Sequence, residues 1–253
     1  GMTLAVEEKM RSERFKTELI TNVSHDIKTP LTSIINYVDL LKSEPLESEK
    51  AREYVEVIDR HSTRLKKLTE DLIEASKAST GVLNVDRSPC EIGVLLTQVT
   101  GEYAEKLAGC DLDLVTTQPD HPVTVLADGR LLWRILDNLL SNACKYGQPG
   151  TRVYVSLTVQ NKNALIVVRN ISRNPLNISG DELMERFVRG DRSRSTDGSG
   201  LGLSIARSLS ELQGAEFAID IDGDLFKAIL TFPLFSNSSM QKSADARVYN
   251  AVE

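Results

Sequence analysis

From Glu49 onward the residues Tyr54, Ile58, His61, Leu65, Leu68, Leu72 and Ala75 follow one another at steps of 4-3-4-3-4-3. Steps that alternate between four and three keep side chains on one narrow stripe of an α-helix, the seam of a coiled coil. A second stretch, from about Val6 to Lys42, holds no glycine and repeats apolar residues through Leu31, Ile34, Val38 and Leu41. It reads as one long helix, interrupted only by Pro30. Glu44-Pro45-Leu46-Glu47-Ser48 separates the two, with Ser48 placed to cap the second helix. Two long helices joined by so short a loop form an antiparallel hairpin, and a lone hairpin leaves half of its apolar stripe in water. Two hairpins from two chains close a four-helix bundle, so the pattern predicts a homodimer.

Past Asp86 the texture changes to mixed α and β. Ile92 to Leu107 is helical, and Leu112 to Thr116 and Val123 to Leu126 are short β-like runs. Asp128 caps an apolar helix from Arg130 to Tyr146, which Gly147 ends. Val153 to Val159 and Leu165 to Val168 alternate as one hairpin, and Ala215 to Ile221 with Ala228 to Phe232 form another around Asp222-Gly223-Asp224. This mixture predicts a layer of helices on one face of a mixed sheet, an α+β two-layer sandwich behind the all-α hairpin. The expected division is a dimerisation domain over 1–82, a linker over 83–90, a second domain over 91–236 and a loose polar tail over 237–253.

Composition narrows the possible partners. A net charge of −6 gives no general attraction to nucleic acid, and 41% hydrophobic with 26% charged residues is a globular balance. Cys90, Cys110 and Cys144 are odd in number and widely spaced, fitting neither a disulfide framework nor a metal site, and read as reduced structural thiols. No apolar run approaches the roughly 20 residues that span a bilayer. Gly1-Met2 leads at once into a charged helical pattern, which reads as an expression scar on a cut within a longer helix.

Three segments carry chemistry. In Ser24-His25-Asp26-Ile27-Lys28-Thr29-Pro30-Leu31, Thr29 lies one turn beyond His25 on the same helix face. Pro30 removes the N–H that would bond the Asp26 carbonyl, so the helix bends where the histidine projects. Neutral imidazole attacks phosphoryl groups, an adjacent carboxylate can hold its tautomer and accept its proton, and Thr29 can orient a water for the reverse hydrolysis. His61, on the seam, and His121, in a loop, read as ordinary surface or packing residues. The second segment is the end of the apolar helix, where Asn138, Asn142 and Lys145 occupy adjacent turns on one side. Amide oxygens can ligate Mg²⁺ while an ammonium meets phosphate. The third is Gly198-Ser199-Gly200-Leu201-Gly202-Leu203 ahead of a helical run from Ser204 to Gln213. Glycines admit phosphates close to the backbone, and the helix start supplies N–H groups. Alone such a turn is weak, and no strand feeds it as a dinucleotide-binding unit requires. The basic stretch Arg186-Phe187-Val188-Arg189-Gly190 before it suits a phosphate-clamping lid.

In their order and spacing these motifs resemble the sensor histidine kinases of bacterial two-component systems, from about Glu7 to Leu234. The resemblance implies a phosphotransfer hairpin followed by an ATP-binding domain of the GHKL (Bergerat) type, with ATP and Mg²⁺ as cofactors. It makes His25 the phosphoacceptor, Asp26 the residue assisting proton removal and Thr29 the phosphatase residue. It places Asn142 on the Mg²⁺ ligand, with Asn138, Lys145 and Tyr146 as flanking nucleotide contacts. Phe187 and Arg189 fall on the lid, and Gly198, Gly200, Leu201, Gly202 and Leu203 on the second glycine box. The implied partners are a second copy of the chain and the receiver domain of a response regulator, without nucleic acid. Membrane attachment is implied only through an N-terminal region absent from the sequence, making this the cytoplasmic portion of a membrane sensor. One departure stands out: the first glycine box, D-x-G-x-G, is expected seventeen residues before Phe187, where the chain reads Asn170-Ile171-Ser172-Arg173-Asn174. An asparagine oxygen can still accept from an adenine amino group, but without a charge-assisted bond it costs roughly 1 to 1.5 kcal/mol of binding. A catalytically weak dimeric scaffold that signals by binding and an ATPase that does not phosphorylate itself are the competing expectations.

Overall fold

The structure, a computed structural model of the chain, describes residues 31–43, 48–79, 83–176, 179–180, 183 and 201–235. Helix α1 covers 31–43, and α2 runs over Glu49–Ser79. The Ser48 carbonyl accepts from the Ala51 and Arg52 amides, so the helix starts where its capping residue was expected. Lys42 near the end of α1 pairs with Asp59 of α2.

Within one chain the hairpin buries Leu31 and Val38 on α1 and the stripe Val55, Ser62, Thr69 and Ser76 on α2. The 4-3 seam is a different stripe, and most of it faces outward: Tyr54 is 64% exposed and Leu65 47%. Large apolar side chains repeating on one exposed helix face form the surface a second hairpin would cover. At its far end α2 changes surroundings, and Ala75 and Ala78 enter the core of the second layer.

That layer begins with β1 (Ser88–Glu91), α3 (Ile92–Ala108), β2 (Leu112–Thr117), β3 (Thr124–Ala127) and α4 (Gly129–Tyr146). It continues through β4 (Thr151–Gln160), β5 (Asn163–Ile171), α5 (Gly202–Leu212), β6 (Glu216–Asp222) and β7 (Leu225–Pro233). Five strands form one sheet in the order β2-β4-β5-β7-β6, with β2 parallel to β4 and the remaining pairs antiparallel. Alternation sorts the sheet into two faces. Val153, Val155, Leu157, Ala164, Ile166, Val168, Ala228, Leu230 and Phe232 are buried on the face beneath the helices, and their neighbours along the strands are half-buried or exposed. This is the mixed sheet with one helical layer that the sequence pattern predicts.

The sequence reading contains no strand before α3. Ser88–Glu91 nevertheless pairs antiparallel with β3 as a separate two-stranded sheet. Pro89 within so short a run hides the strand, because proline lacks a ladder donor and is confined to such edges.

Candidate nucleotide site

Helix α4 owes its position to its first residues. Asp128, with a nearly buried side chain, accepts from the Arg130 amide at 3.0 Å and from the Asp86 amide at 3.1 Å, and its own N–H donates to Gln213 Oε1 at 2.8 Å. Asp128 therefore ties together three places: its carboxylate joins the start of α4 to the segment after α2, and its backbone N–H reaches the residue that ends α5. Burial pushes its pKa up, but the bonds from the Arg130 side chain and from the Asp86 and Arg130 amides outweigh this and hold it below the usual carboxylate value. At the other end the Gly147 amide closes α4 on the Ala143 carbonyl at 2.8 Å. A Cβ on Gly147 would stand 2.5 Å from that oxygen, so only glycine fits.

With both ends fixed, α4 presents Asn138, Asn142, Lys145 and Tyr146 along neighbouring turns. Asn138 is buried, and its Nδ2 has no hydrogen-bond partner among the described residues. Asn142, Lys145 and Tyr146 are half-buried. An orphaned buried amide calls for an acceptor from outside the fold, because an unmet donor costs about 1–3 kcal/mol. The start of α5 lies against it. A Cβ on Gly202 would lie 3.4 Å from Asn138 Oδ1 and 3.8 Å from Asn142 Nδ2, so the glycine keeps a cradle between the two helices open.

Leu201, the N-cap residue of α5, is buried and offers no side-chain cap. Its carbonyl accepts from the Ile205 amide at 2.8 Å and from Ser204 Oγ at 2.9 Å. Leu203 packs on the core. The first amides of α5 thus begin a helix that its N-cap side chain does not cap, next to an amide donor unsatisfied among the described residues, an arrangement suited to an anion. Asparagine oxygens are hard ligands that suit Mg²⁺, and an ammonium pairs with phosphate. The chemistry of these residues fits ATP with Mg²⁺.

Asn170, at the expected first-glycine-box position, is a buried residue on the helical face of β5. Its Nδ2 donates to the Ile171 carbonyl at 3.1 Å. Beyond it Ser172 donates to the Asn174 carbonyl at 2.7 Å, replacing the expected glycine turn with a hydroxyl-held one. Arg173, read from sequence only as part of that altered box, returns the chain to α4: its amide donates to the Tyr146 carbonyl at 2.8 Å. No sequence signal marks that contact, because it joins residues distant along the chain. Phe187, Arg189, Gly198 and Gly200 lie outside the described residues, as do His25, Asp26 and Thr29.

A two-layer sandwich with an open cradle between its helices, carried behind a long helical hairpin, defines a candidate nucleotide-binding domain coupled to a helical one. Comparisons with known proteins agree. Residues 15–81 match the His Kinase A (phospho-acceptor) domain, and residues 127–238 match the histidine kinase-, DNA gyrase B- and HSP90-like ATPase. Sensor histidine kinase GacS of Pseudomonas protegens is 29% identical over 226 residues, covering 87% of this chain and 24% of GacS. Sensor histidine kinase YcbM of Bacillus subtilis is 28% identical over 218 residues, covering 83% of this chain and 68% of YcbM. Sensor protein GtcS of Aneurinibacillus migulanus is 30% identical over 197 residues, 78% of this chain and 53% of GtcS. The chain thus spans about a quarter of the length of GacS and about half that of GtcS. The crystal structure of full-length ShkA in complex with AMPPNP superimposes with a TM-score of 0.76 at 23% identity, over 87% of this chain and 46% of that one. The chain belongs to the sensor histidine kinases. Among the described residues no helix is long and apolar enough to cross a membrane.

Proposed function

We propose that this chain phosphorylates itself on His25 from ATP and passes the phosphoryl group to an aspartate in the receiver domain of a response regulator. The observation that carries the nucleotide half is the orphaned Nδ2 of Asn138 beside the open cradle of Gly202. When bound, Mg-ATP supplies the phosphoryl group, with the metal neutralising its charge. Asn138 donates to the anion, Asn142 ligates the metal, and Lys145 and the first amides of α5 meet phosphate oxygens. Tyr146 and Asn170 border the base, with the oxygen of Asn170 accepting from an exocyclic amino group.

The transfer half rests on sequence. The His25 ring nitrogen attacks, its N–P bond forming as the terminal P–O bond of ATP breaks. Asp26 takes the ring proton and ADP leaves. Thr29 supports the reverse task, positioning water against the phosphorylated regulator. In this reading 1–82 is the dimerisation and phosphotransfer domain, 83–90 a linker, 91–236 the catalytic domain and 237–253 a tail, in a homodimer. Phe187, Arg189, Gly198 and Gly200 close over the phosphates. The whole protein is a bacterial membrane sensor of which this is the cytoplasmic part.

Incubation with Mg²⁺ and γ-labelled ATP tests the reading. Label that survives alkali but not acid is a phosphoramidate, and it should disappear in His25→Ala. Replacement of the first glycine box by Asn170, Ser172 and Asn174 favours one second reading, a dimeric scaffold that signals by binding. A folded wild-type dimer that takes up no label would establish it.

A further inference from the structure

Spacing along the chain offers the three cysteines no pairing, but the fold brings two of them together. Helix α3 is capped by Gly109, and the Cys110 amide that follows donates to the Leu107 carbonyl at 2.9 Å. Asp111 then takes a positive φ of 58° and turns the chain into β2. That turn is pinned against the end of α4. The Asp111 carbonyl accepts from the Gly150 amide at 2.7 Å, and Leu112 packs so closely on Gly147 that a Cβ there would stand 2.9 Å from Leu112 Cδ1. Cys144 lies on the last turn of α4, three residues before Gly147, and its thiol donates to the Cys110 sulfur. Both are free thiols, half-buried against the core. The third, Cys90, stands against Gly129 at the start of α4, fifteen residues and about 22 Å along the helix from Cys144.

Two thiols that already meet, on backbone segments fastened to one another on either side, satisfy the first requirement of a disulfide. Cys144 lies about 120° round α4 from Asn138, so it does not itself face the nucleotide cradle. A bridge nevertheless reaches that cradle through the helix. It sets the sulfurs about 2.05 Å apart, closer than a hydrogen bond holds them, and so draws the last turn of α4 toward the turn after α3. Lys145 and Tyr146 are on that last turn and move with it.

We propose that Cys110 and Cys144 are a redox-active dithiol, which hydrogen peroxide converts to an intramolecular disulfide that weakens nucleotide binding at α4. The loss of affinity rests on the nucleotide reading given above, and the dithiol itself does not. Cys110, the acceptor of the S–H···S bond, attacks the peroxide: an S–O bond forms, the O–O bond breaks and water leaves, giving a sulfenic acid. The Cys144 sulfur then attacks the Cys110 sulfur. The S–S bond forms, the S–O bond breaks, and a second water leaves with the Cys144 proton. The two thiols give up two electrons and one peroxide becomes two waters. A small thiol reverses the change by exchange.

The full chain, reduced, freed of reductant and then exposed to hydrogen peroxide, tests this. After alkylation of the remaining thiols, peptide mass spectrometry should find the Cys110 and Cys144 peptides linked within a single chain and Cys90 alkylated. Dithiothreitol should separate the pair. Affinity for a fluorescent non-hydrolysable ATP analogue with Mg²⁺ should fall about fivefold or more on oxidation, the lower end of ordinary allosteric coupling, and recover on reduction. Cys110→Ser and Cys144→Ser should each abolish both effects, whereas Cys90→Ser should leave both intact. Over-oxidation of either cysteine without a link, or links made through Cys90 or between chains, overturns the dithiol. A linked protein with unchanged affinity overturns the effect on the cradle. Absence of analogue binding by the reduced protein overturns the nucleotide reading, and the linked peptide still decides the dithiol.

Discussion

Replacing Asp128 by alanine removes the carboxylate that joins the start of α4 to the segment after α2, and its cost can be worked from the contacts. Loss of the cap on the Arg130 amide costs about 1 kcal/mol, within a range of 0.5–2. The Asp86 amide, left in a part-buried position without its acceptor, adds about 1–2 kcal/mol. The Arg130 guanidinium is exposed, so its pairing is left out of the sum. Asp128→Ala should therefore destabilise the catalytic layer by about 2–3 kcal/mol. Asp128→Asn, an equally good cap, should lose about 1 kcal/mol or less. Urea unfolding followed by Trp133, the single tryptophan and a neighbour of the core, reports this layer. At a slope of about 2 kcal/mol/M the alanine variant's midpoint falls by roughly 1–1.5 M. The pH dependence has a fixed sign. The folded-state pKa of Asp128 lies below its unfolded value, so its contribution is complete above about pH 4 and is lost as pH falls through the folded value. That acid limb should be shallower in Asp128→Asn. A loss below about 0.5 kcal/mol in the alanine variant would refute the claim that this carboxylate joins the two segments.

Asn138→Ala should weaken Mg-nucleotide binding about tenfold or more while changing the unfolding free energy by less than about 1 kcal/mol, because its Nδ2 bonds nothing in the described protein. Titration and urea unfolding of the same preparation separate the two effects. Gly147→Ala forces a Cβ to within 2.5 Å of the Ala143 oxygen and 2.9 Å of Leu112 Cδ1, and should cost about 2 kcal/mol or more by the same unfolding assay. Burial, with the neighbouring Cys110, pushes the Cys144 thiol up to about 11. At pH 8 its alkylation should run roughly a hundredfold slower than that of an ordinary thiol, measured by mass spectrometry of the labelled peptide.

Local rules made much of this molecule readable from its residues. The boundaries of α4 were legible because a capping aspartate and a terminal glycine act within a turn of themselves, and Asp128 and Gly147 do so here. The two hairpins were legible because alternation and the turn at Gly223, with φ 59°, are also local. Asn138, Asn142 and Lys145 could be placed on one helix side because periodicity requires it. Strand β1 was hidden, since its only support is a pairing with β3 more than thirty residues on. The sequence by itself determined which elements form and which stripes they expose, because propensity, capping and periodicity operate over a few residues. Only the tertiary structure decided that Gly202 stands against Asn138, that Arg173 returns to Tyr146, and that Arg134 of α4 pairs with Asp71 and Glu74 of α2. Those contacts join residues far apart along the chain, and the packing of helices on the sheet, which no local pattern encodes, brings them together.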